Sequence, residues 1–447
     1  MADSSTMSIS GIGSGFNVQS TVESLMSVEA QSQNLLKRQL TKHQTMVSAY
    51  QQLNTTFASI KQTAGELAFG LNWRTMKATS SGDGVTATAG TGAVSGSFSF
   101  SVQQLAKRNS VATAGTVSSL DTVVGNSGAY AGKTLSQVVE EVNKNSSTLG
   151  YSAAAIQVAP GSYKLQLQAT QSGTAGAIAG DLTQITASMG AFNTVQAAQD
   201  AILQVGSGAG AYSITSSSNT VKDALPGVTL NLTKADPNTE ITVNVAGDAD
   251  AMADKVGKLV DSLNSAAKLI QDNSKYDPGS KSGGVFLGNS TTRTLSSNLH
   301  QAVTDLVGSS LKLATNVGIS FNSDGTYSFD KAKFKSAYNE NPEAVASLFV
   351  EGGSTAVTTG TQPGIAERLQ KVANAATDSV SGWITTALKG ENTRVEDLNK
   401  TIASWDDRLE QRRATLTKMF NAMDSAVAGF NSQSNWLAGQ LSSMTGS

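Results

Sequence analysis

The chain is predicted to be an α+β multidomain protein in which long terminal coiled-coil helices and a helical bundle carry nested antiparallel β-rich head domains. The first observation behind this is a heptad run near the C-terminus. Val395, Ile402, Leu409, Leu416, Met423 and Phe430 share one heptad position, and Leu398, Trp405, Arg412, Met419 and Ala426 share the position three residues later. Arg412 alone breaks the apolar alternation, and no Gly or Pro lies between Gly390 and Gly429. This spacing specifies a long helix with a narrow apolar seam, which needs a partner to bury it. The second observation is a near-mirror at the other end. Tyr50, Leu53, Phe57, Ile60, Ala64 and Leu67 keep the same 3-4 spacing, and the segment from Phe16 to Ala64 is free of Gly and Pro. A helix of roughly 50 residues is about 75 Å long. The third observation is the middle of the chain, where short alternating runs separated by Gly read as strands. The simplest arrangement pairs the two ends and carries the middle as an insertion.

Composition narrows the function. With 447 residues the chain should form about three or four domains. Charged residues are 15% and the net charge is −2, so nothing electrostatic favours nucleic acid or an anionic membrane. No apolar run approaches the roughly 18 residues of a membrane span, so membrane insertion is not expected. Cysteine is absent, which excludes disulfides, thiolate metal sites and a cysteine nucleophile. The two His, His43 and His300, are too few for a His-based metal cluster and argue against a catalytic triad. Asp248, Asp250 and Asp254 crowd together but lack the Gly and further oxygen ligands of a calcium loop, and suit a helix start. Asp406 and Asp407 read as a solvated outer helix face. No catalytic, metal or cofactor-binding residue is assigned, and the chain is not expected to be an enzyme. Met1–Ser10 has neither the basic region nor the apolar core of a cleavable signal, so export would leave the N-terminus intact.

Taken in order, Ser10–Gly15 is a Gly-rich turn without the Lys and Ser/Thr of a phosphate loop, and reads as a hinge. Helix follows from about Val18 to Phe69, with a looser pattern before Tyr50, where Glu29, Ser32 and Gln39 occupy seam positions. Strands are expected at Met76–Ser80, Val85–Ala89 and Gly96–Leu105, where Phe98, Phe100 and Val102 alternate. Lys133–Gly150 reads as a helix opened by a Thr134/Gln137 capping box. Tyr163, Leu165, Leu167 and Ala169 then alternate as a strand. Strand texture returns at Ala201–Val205, Ala211–Thr215, Val228–Leu232 and Ile241–Val245. Met252, Val256, Leu259, Leu263, Ala266 and Ile270 mark a bundle helix. Ser323-Asp324-Gly325 turns a hairpin, and Pro342 opens a further helix. The expected domains are 1–42 with 409–447, 43–78 with 248–408, 79–110 with 199–247, and an inserted 111–198. The self-assembly seam is assigned to Tyr50, Leu53, Phe57, Ile60, Leu67, Val395, Leu398, Ile402, Trp405, Leu409, Leu416, Met419, Met423 and Phe430.

Several motifs carry a family resemblance. They are Ile9–Val18 followed by Val22, Leu25, Met26 and Glu29; the Gly318-Ile319 … Asp324-Gly325 … Asn341-Pro342 … Leu348-Phe349 series; and the tail series Arg408-Leu409-Glu410, Phe420–Asp424 and Ser432–Leu437. Together they resemble the bacterial flagellar filament cap family, also called hook-associated protein 2, over both ends and the 248–440 region, and more loosely in the middle. The resemblance implies a structural cap at the filament tip that assembles as a ring of copies, with a pentamer favoured. It implies flagellin, the flagellar type III export apparatus and an export chaperone as partners, and an adhesive outer surface in some bacteria. It makes the terminal helices the filament face, with Ile12, Phe16, Val22, Leu25, Trp436 and Leu437 as contacts. The alternatives are a flagellin-like or hook–filament junction protein, which would lack the Asn316–Phe349 series, and a secreted adhesin, which would not need the heptad ends.

Overall fold

A computed structural model describes residues 17–186, 188–279, 281–351 and 363–445. The Ser10–Gly15 turn, with Ile12 and Phe16, lies outside the described residues. The chain divides into two compact units, Met1–Trp73 with Ala253–Ser447, and Arg74–Met252.

The first unit is helical. Its N-terminal part consists of helices Val18–Glu29 and Gln31–Leu67. Asn17 caps the first by accepting from the Ser20 N–H at 2.9 Å. At Ala30 ψ relaxes to −9°, yet Ala30 N still bonds Met26 O and Asn34 N bonds Ala30 O, both at 2.9 Å. The expected single helix is therefore interrupted at one residue without losing its ladder. At the far end, Trp73 Nε1 donates to Leu67 O at 2.8 Å and Asn72 Nδ2 to Glu66 O at 2.7 Å. These bonds satisfy last-turn carbonyls that a helix leaves without partners.

Tyr50, Leu53, Phe57, Ile60, Ala64 and Leu67 are all buried. They face helix Ile365–Thr377, which buries Ile365, Leu369, Ala373 and Ala376, and helix Ala249–Ser274 buries its own stripe of Val256, Leu259, Leu263, Ala266 and Ile270. Ser59 and Ser262 share a hydroxyl contact at 3.1 Å across this packing. The Tyr50 hydroxyl accepts from Asn289 Nδ2 at 2.7 Å, and its ring lies 5.0 Å from Phe286. Trp73, Tyr338 and Phe349 form an aromatic corner, closed by the Tyr338 hydroxyl donating to Trp73 O at 2.9 Å.

The expected hairpin pairs Ile319–Phe321 with Tyr327–Phe329. Its loop is longer than a two-residue turn. Gly325 takes φ 84°, and Asp324 Oδ1 accepts from the Thr326 N–H at 2.9 Å. Helices Lys331–Glu340 and Pro342–Phe349 follow, with the side chains of Asp330 and Asn341 as N-caps and Pro342 in the first turn. The C-terminal helix is longer than its heptads required. It runs Trp383–Thr445, 63 residues and so about 95 Å, straight through Gly390 and Gly429.

The second unit is built on antiparallel sheets. Strands Met76–Ser80, Asp236–Gly247, Gly96–Gln104, Ala201–Val205 and Tyr212–Ser216 form one sheet in that order. Thr220–Leu225, Val228–Leu232 and Val85–Ala89 form another. One core joins the two sheets, with Phe100, Val102, Leu203 and Val243 from the first meeting Val85, Val228 and Leu230 from the second. A further sheet runs Tyr151–Ala159, Ser162–Ser172, Arg108–Thr113, Phe192–Gln196. It has its own core, in which Val138 and Val142 of helix Leu135–Lys144 pack on Tyr151, Ala153, Leu165 and Leu167. The Thr134/Gln137 capping box is present. A second short helix, Ser146–Leu149, completes the stretch read as one helix, and Gly150 turns out of it at φ 76°. Strand Arg108–Thr113 runs across the domain edge expected at residue 110.

Candidate functional site

The terminal helices are built upward from their contacts. Glu29 Oε1 accepts from Arg412 Nε at 3.3 Å. Gln33 Nε2 donates to Asp406 Oδ1 at 2.5 Å and to Ile402 O at 3.5 Å. His43 Nδ1 lies 2.6 Å from Glu391 Oε2. As numbers rise along the N-terminal helices, those of their partners fall, so the pair is antiparallel. This register places the mate of the C-terminal seam. Val395–Leu416 packs against Val18–His43, the looser stretch, and the Tyr50–Leu67 mirror packs into the bundle instead. The reason is reach: with His43 beside Glu391, the C-terminal helix begins at Trp383, before it could run alongside Leu53–Leu67.

Within this pair one heptad row does most of the packing. Ile402 and Leu416 are buried, and Val395 and Leu409 are half-buried. The second row grades outward, from half-buried Leu398 and Trp405 to exposed Arg412, Met419 and Ala426. Val18, Val22 and Met26 close on Leu416, with Leu409 and Phe420 beside them. Arg412, the one polar seam residue, lies at the edge and bonds Glu29, so it marks register. Half exposed, that pair contributes roughly 0–1 kcal/mol. Arg408 sits 4.6 Å over the Trp405 ring.

Two polar contacts went unseen in the sequence. Gln33 is 3% exposed, while its partner Asp406 lies with Asp407 on the exposed outer face that the sequence reading gave them. Glu391 is 7% exposed and is held by His43 and by Arg394 Nη1 at 3.0 Å. Buried charge persists only where it is paired and hydrogen-bonded. Nothing local signals either contact, because the partners lie 373 and 348 residues apart.

Past Phe420 the C-terminal helix carries large apolar side chains that are exposed. Met423, Val427, Phe430, Trp436, Leu437 and Leu441 are exposed, as are Met419 before them and Leu25, Val28 and Leu35 on the N-terminal helices. Of the expected filament contacts, Val22 is buried against Leu416, whereas Leu25, Trp436 and Leu437 face outward. Exposed rows of large apolar side chains are a feature of protein–protein interaction surfaces. Among the described residues, no helix is long and apolar enough to cross a membrane.

The comparisons with known proteins agree with this layout. The family profile for the flagellar hook-associated protein 2 C-terminus matches residues 198–432, and that for the N-terminus of the same proteins matches residues 14–109. Flagellar hook-associated protein 2 of Escherichia coli K12 is 26% identical over 469 residues, covering 96% of this chain and 97% of that protein. The A-type flagellar hook-associated protein 2 of Pseudomonas aeruginosa is 25% identical over 492 residues, covering 100% and 99%. In fold, the chain is similar to the crystal structure of three domains of the Escherichia coli flagellar cap protein FliD, with a TM-score of 0.58 and 24% identity over 77% of this chain and 99% of that one. A C-terminal match that spans more than half of the sequence, joined by a separate N-terminal match, carries the assignment: the chain belongs to the flagellar hook-associated protein 2 family.

Proposed function

We propose that this chain is a structural cap at the distal tip of a bacterial flagellar filament, where it holds flagellin subunits against loss and promotes their insertion. The observation that carries the reading is the exposed apolar row from Met419 to Leu437 on the C-terminal helix. It is a surface in search of helical partners, and filament subunits supply them. In this reading the chain acts outside the cell, on the flagellum. Copies associate as a ring, with five favoured, and the seam residues of the terminal helices serve assembly. Leu25, Trp436 and Leu437, with Ile12 and Phe16, contact the filament. The flagellar type III export apparatus passes the chain outward with the help of a chaperone. The absence of cysteine suits this route, since an unfolded chain passes a narrow channel unbridged. The terminal part, 1–42 with 409–447, is the filament side, and 111–198 is the outer head.

The test is complementation of a flagellated strain that lacks its own cap protein. Expression of the chain restores filaments and lowers free flagellin in the medium. Bare hooks despite normal secretion of the chain would overturn the reading.

A further inference from the structure

The outer head sheet ends in two unpaired strands. One edge is Tyr151–Ala159 and the other is Phe192–Gln196. Native proteins usually blunt such edges with Lys, Pro or inward charge. Neither strand contains a charged residue or a Pro.

Among the described residues, one side chain blocks the first edge. Asn143 Nδ2 donates to Ala153 O at 2.9 Å, and Asn143 Oδ1 accepts from the Ala153 N–H at 2.8 Å. A side-chain amide thus imitates one peptide of a neighbouring strand. Ala153 therefore directs its backbone groups away from the sheet, while Gly150 O faces inward and accepts from Thr170 N at 2.9 Å. Alternation then turns the N–H and C=O of Ala155 and Gln157 outward as well. Around them Ile156 and Val158 are exposed. At the second edge, Ala191 O accepts from Ala114 N at 2.9 Å and so faces inward, which makes Phe192 and Thr194 the outward-directed residues. Val195 beside them is exposed.

Strand direction decides what fits. Every pairing in this four-stranded sheet is antiparallel. With an even number of strands, the two edge strands run in opposite directions. A second copy in the same orientation therefore brings its Phe192–Thr194 antiparallel to the first copy's Ala155–Gln157, with Ala155 opposite Thr194 and Gln157 opposite Phe192. A two-fold pairing of like edges would turn the copies against each other. A head-to-tail joint uses two different surfaces and can repeat around a ring.

We infer that the head is a ring joint: Ala155–Gln157 of edge strand Tyr151–Ala159 accepts Phe192–Thr194 of a second copy of this chain, continuing the sheet from subunit to subunit. This rests on the reading that the chain acts as a ring of copies. The occupant is a second copy because both halves of the joint lie on the same sheet, each offers two outward-directed residues at matching spacing, and both are uncharged.

The test uses the full-length chain, whose lack of native cysteine leaves engineered thiols unambiguous. Ile156→Cys and Asn193→Cys are made as separate variants. Both positions turn their own backbone inward, so across the joint they make a non-hydrogen-bonded pair with Cα atoms about 4.5 Å apart, within disulfide reach. Oxidation of the mixed variants gives the 156–193 inter-chain dimer as the main product, and neither variant alone gives it. Ala155→Pro removes an outward N–H that the fold does not use, and in the Ile156→Cys background it abolishes the link without changing the melting curve. Three results would overturn the joint. A link only between Ile156→Cys copies means two-fold pairing. Rings of the parent chain without a 156–193 link remove the joint and leave the ring standing. A parent chain with no oligomer at any concentration removes both.

Discussion

Leu416→Ala tests the terminal helix pair directly. Leu416 is 6% exposed and is the only buried residue of the C-terminal helix in its cluster with Val18, Val22 and Met26. Those three are all that helix Val18–Glu29 buries. Deleting a buried leucine costs about 2–5 kcal/mol, and the lower end applies where the space can relax toward solvent, as at the end of a two-helix pair. A loss of about 2 kcal/mol raises the opening constant of Val18–Glu29 about thirtyfold. The assay is amide hydrogen exchange on the monomer, read helix by helix. Amides of Val18–Glu29 should exchange about thirtyfold faster, and those of Tyr50–Leu67 should hold their rates because the bundle anchors them. Met423→Ala, at an exposed position on the same heptad row, is the control and should change neither. Unchanged exchange in Val18–Glu29, or equal loss throughout the bundle, would refute the pairing.

Other predictions follow from single sites. His43→Ala leaves buried Glu391 with Arg394 alone, and should lower stability in denaturant titration by about 1.5–3 kcal/mol; no change would mean that the His43 contact is not formed in solution. Burial pushes the Tyr327 phenol up from its ordinary 10.0 to about 12. Its contribution to stability is therefore complete below pH 10.0 and is lost as pH rises toward about 12, because the unfolded chain gives up the proton first. Tyr327→Phe should flatten that part of the pH–stability curve. Gly318 takes φ 82°, and an added Cβ would lie 2.6 Å from Asp330 O, so Gly318→Ala should lower the thermal midpoint at a cost of about 1–3 kcal/mol.

What was legible in the sequence was local. The Thr134/Gln137 box, Pro342 in its first turn and the Phe98–Val102 alternation each place their signal within a few residues. Tyr50–Leu67 was readable as a buried stripe because its spacing is regular. Its mate was not, since register between the terminal helices is set by Glu29, Gln33 and His43 meeting residues hundreds of positions away. The long helix overran its expected bounds because isolated Gly residues, at about 1 kcal/mol each, do not stop a helix that is otherwise well supported. Strand Phe192–Gln196 was hidden by its shortness and exposure, which leave no apolar alternation to see. Phe430 and Trp436 were visible as apolar seam and tail residues.

The central claim is position: this chain sits at the distal end of the filament. A fluorophore on a single engineered cysteine in the outer head, at Ser118, would report it in living cells whose flagellin is labelled in a second colour. The account predicts one spot at the free end of each filament that stays at the tip as the filament grows. Signal along the filament, or a fixed spot at its hook end, would contradict it.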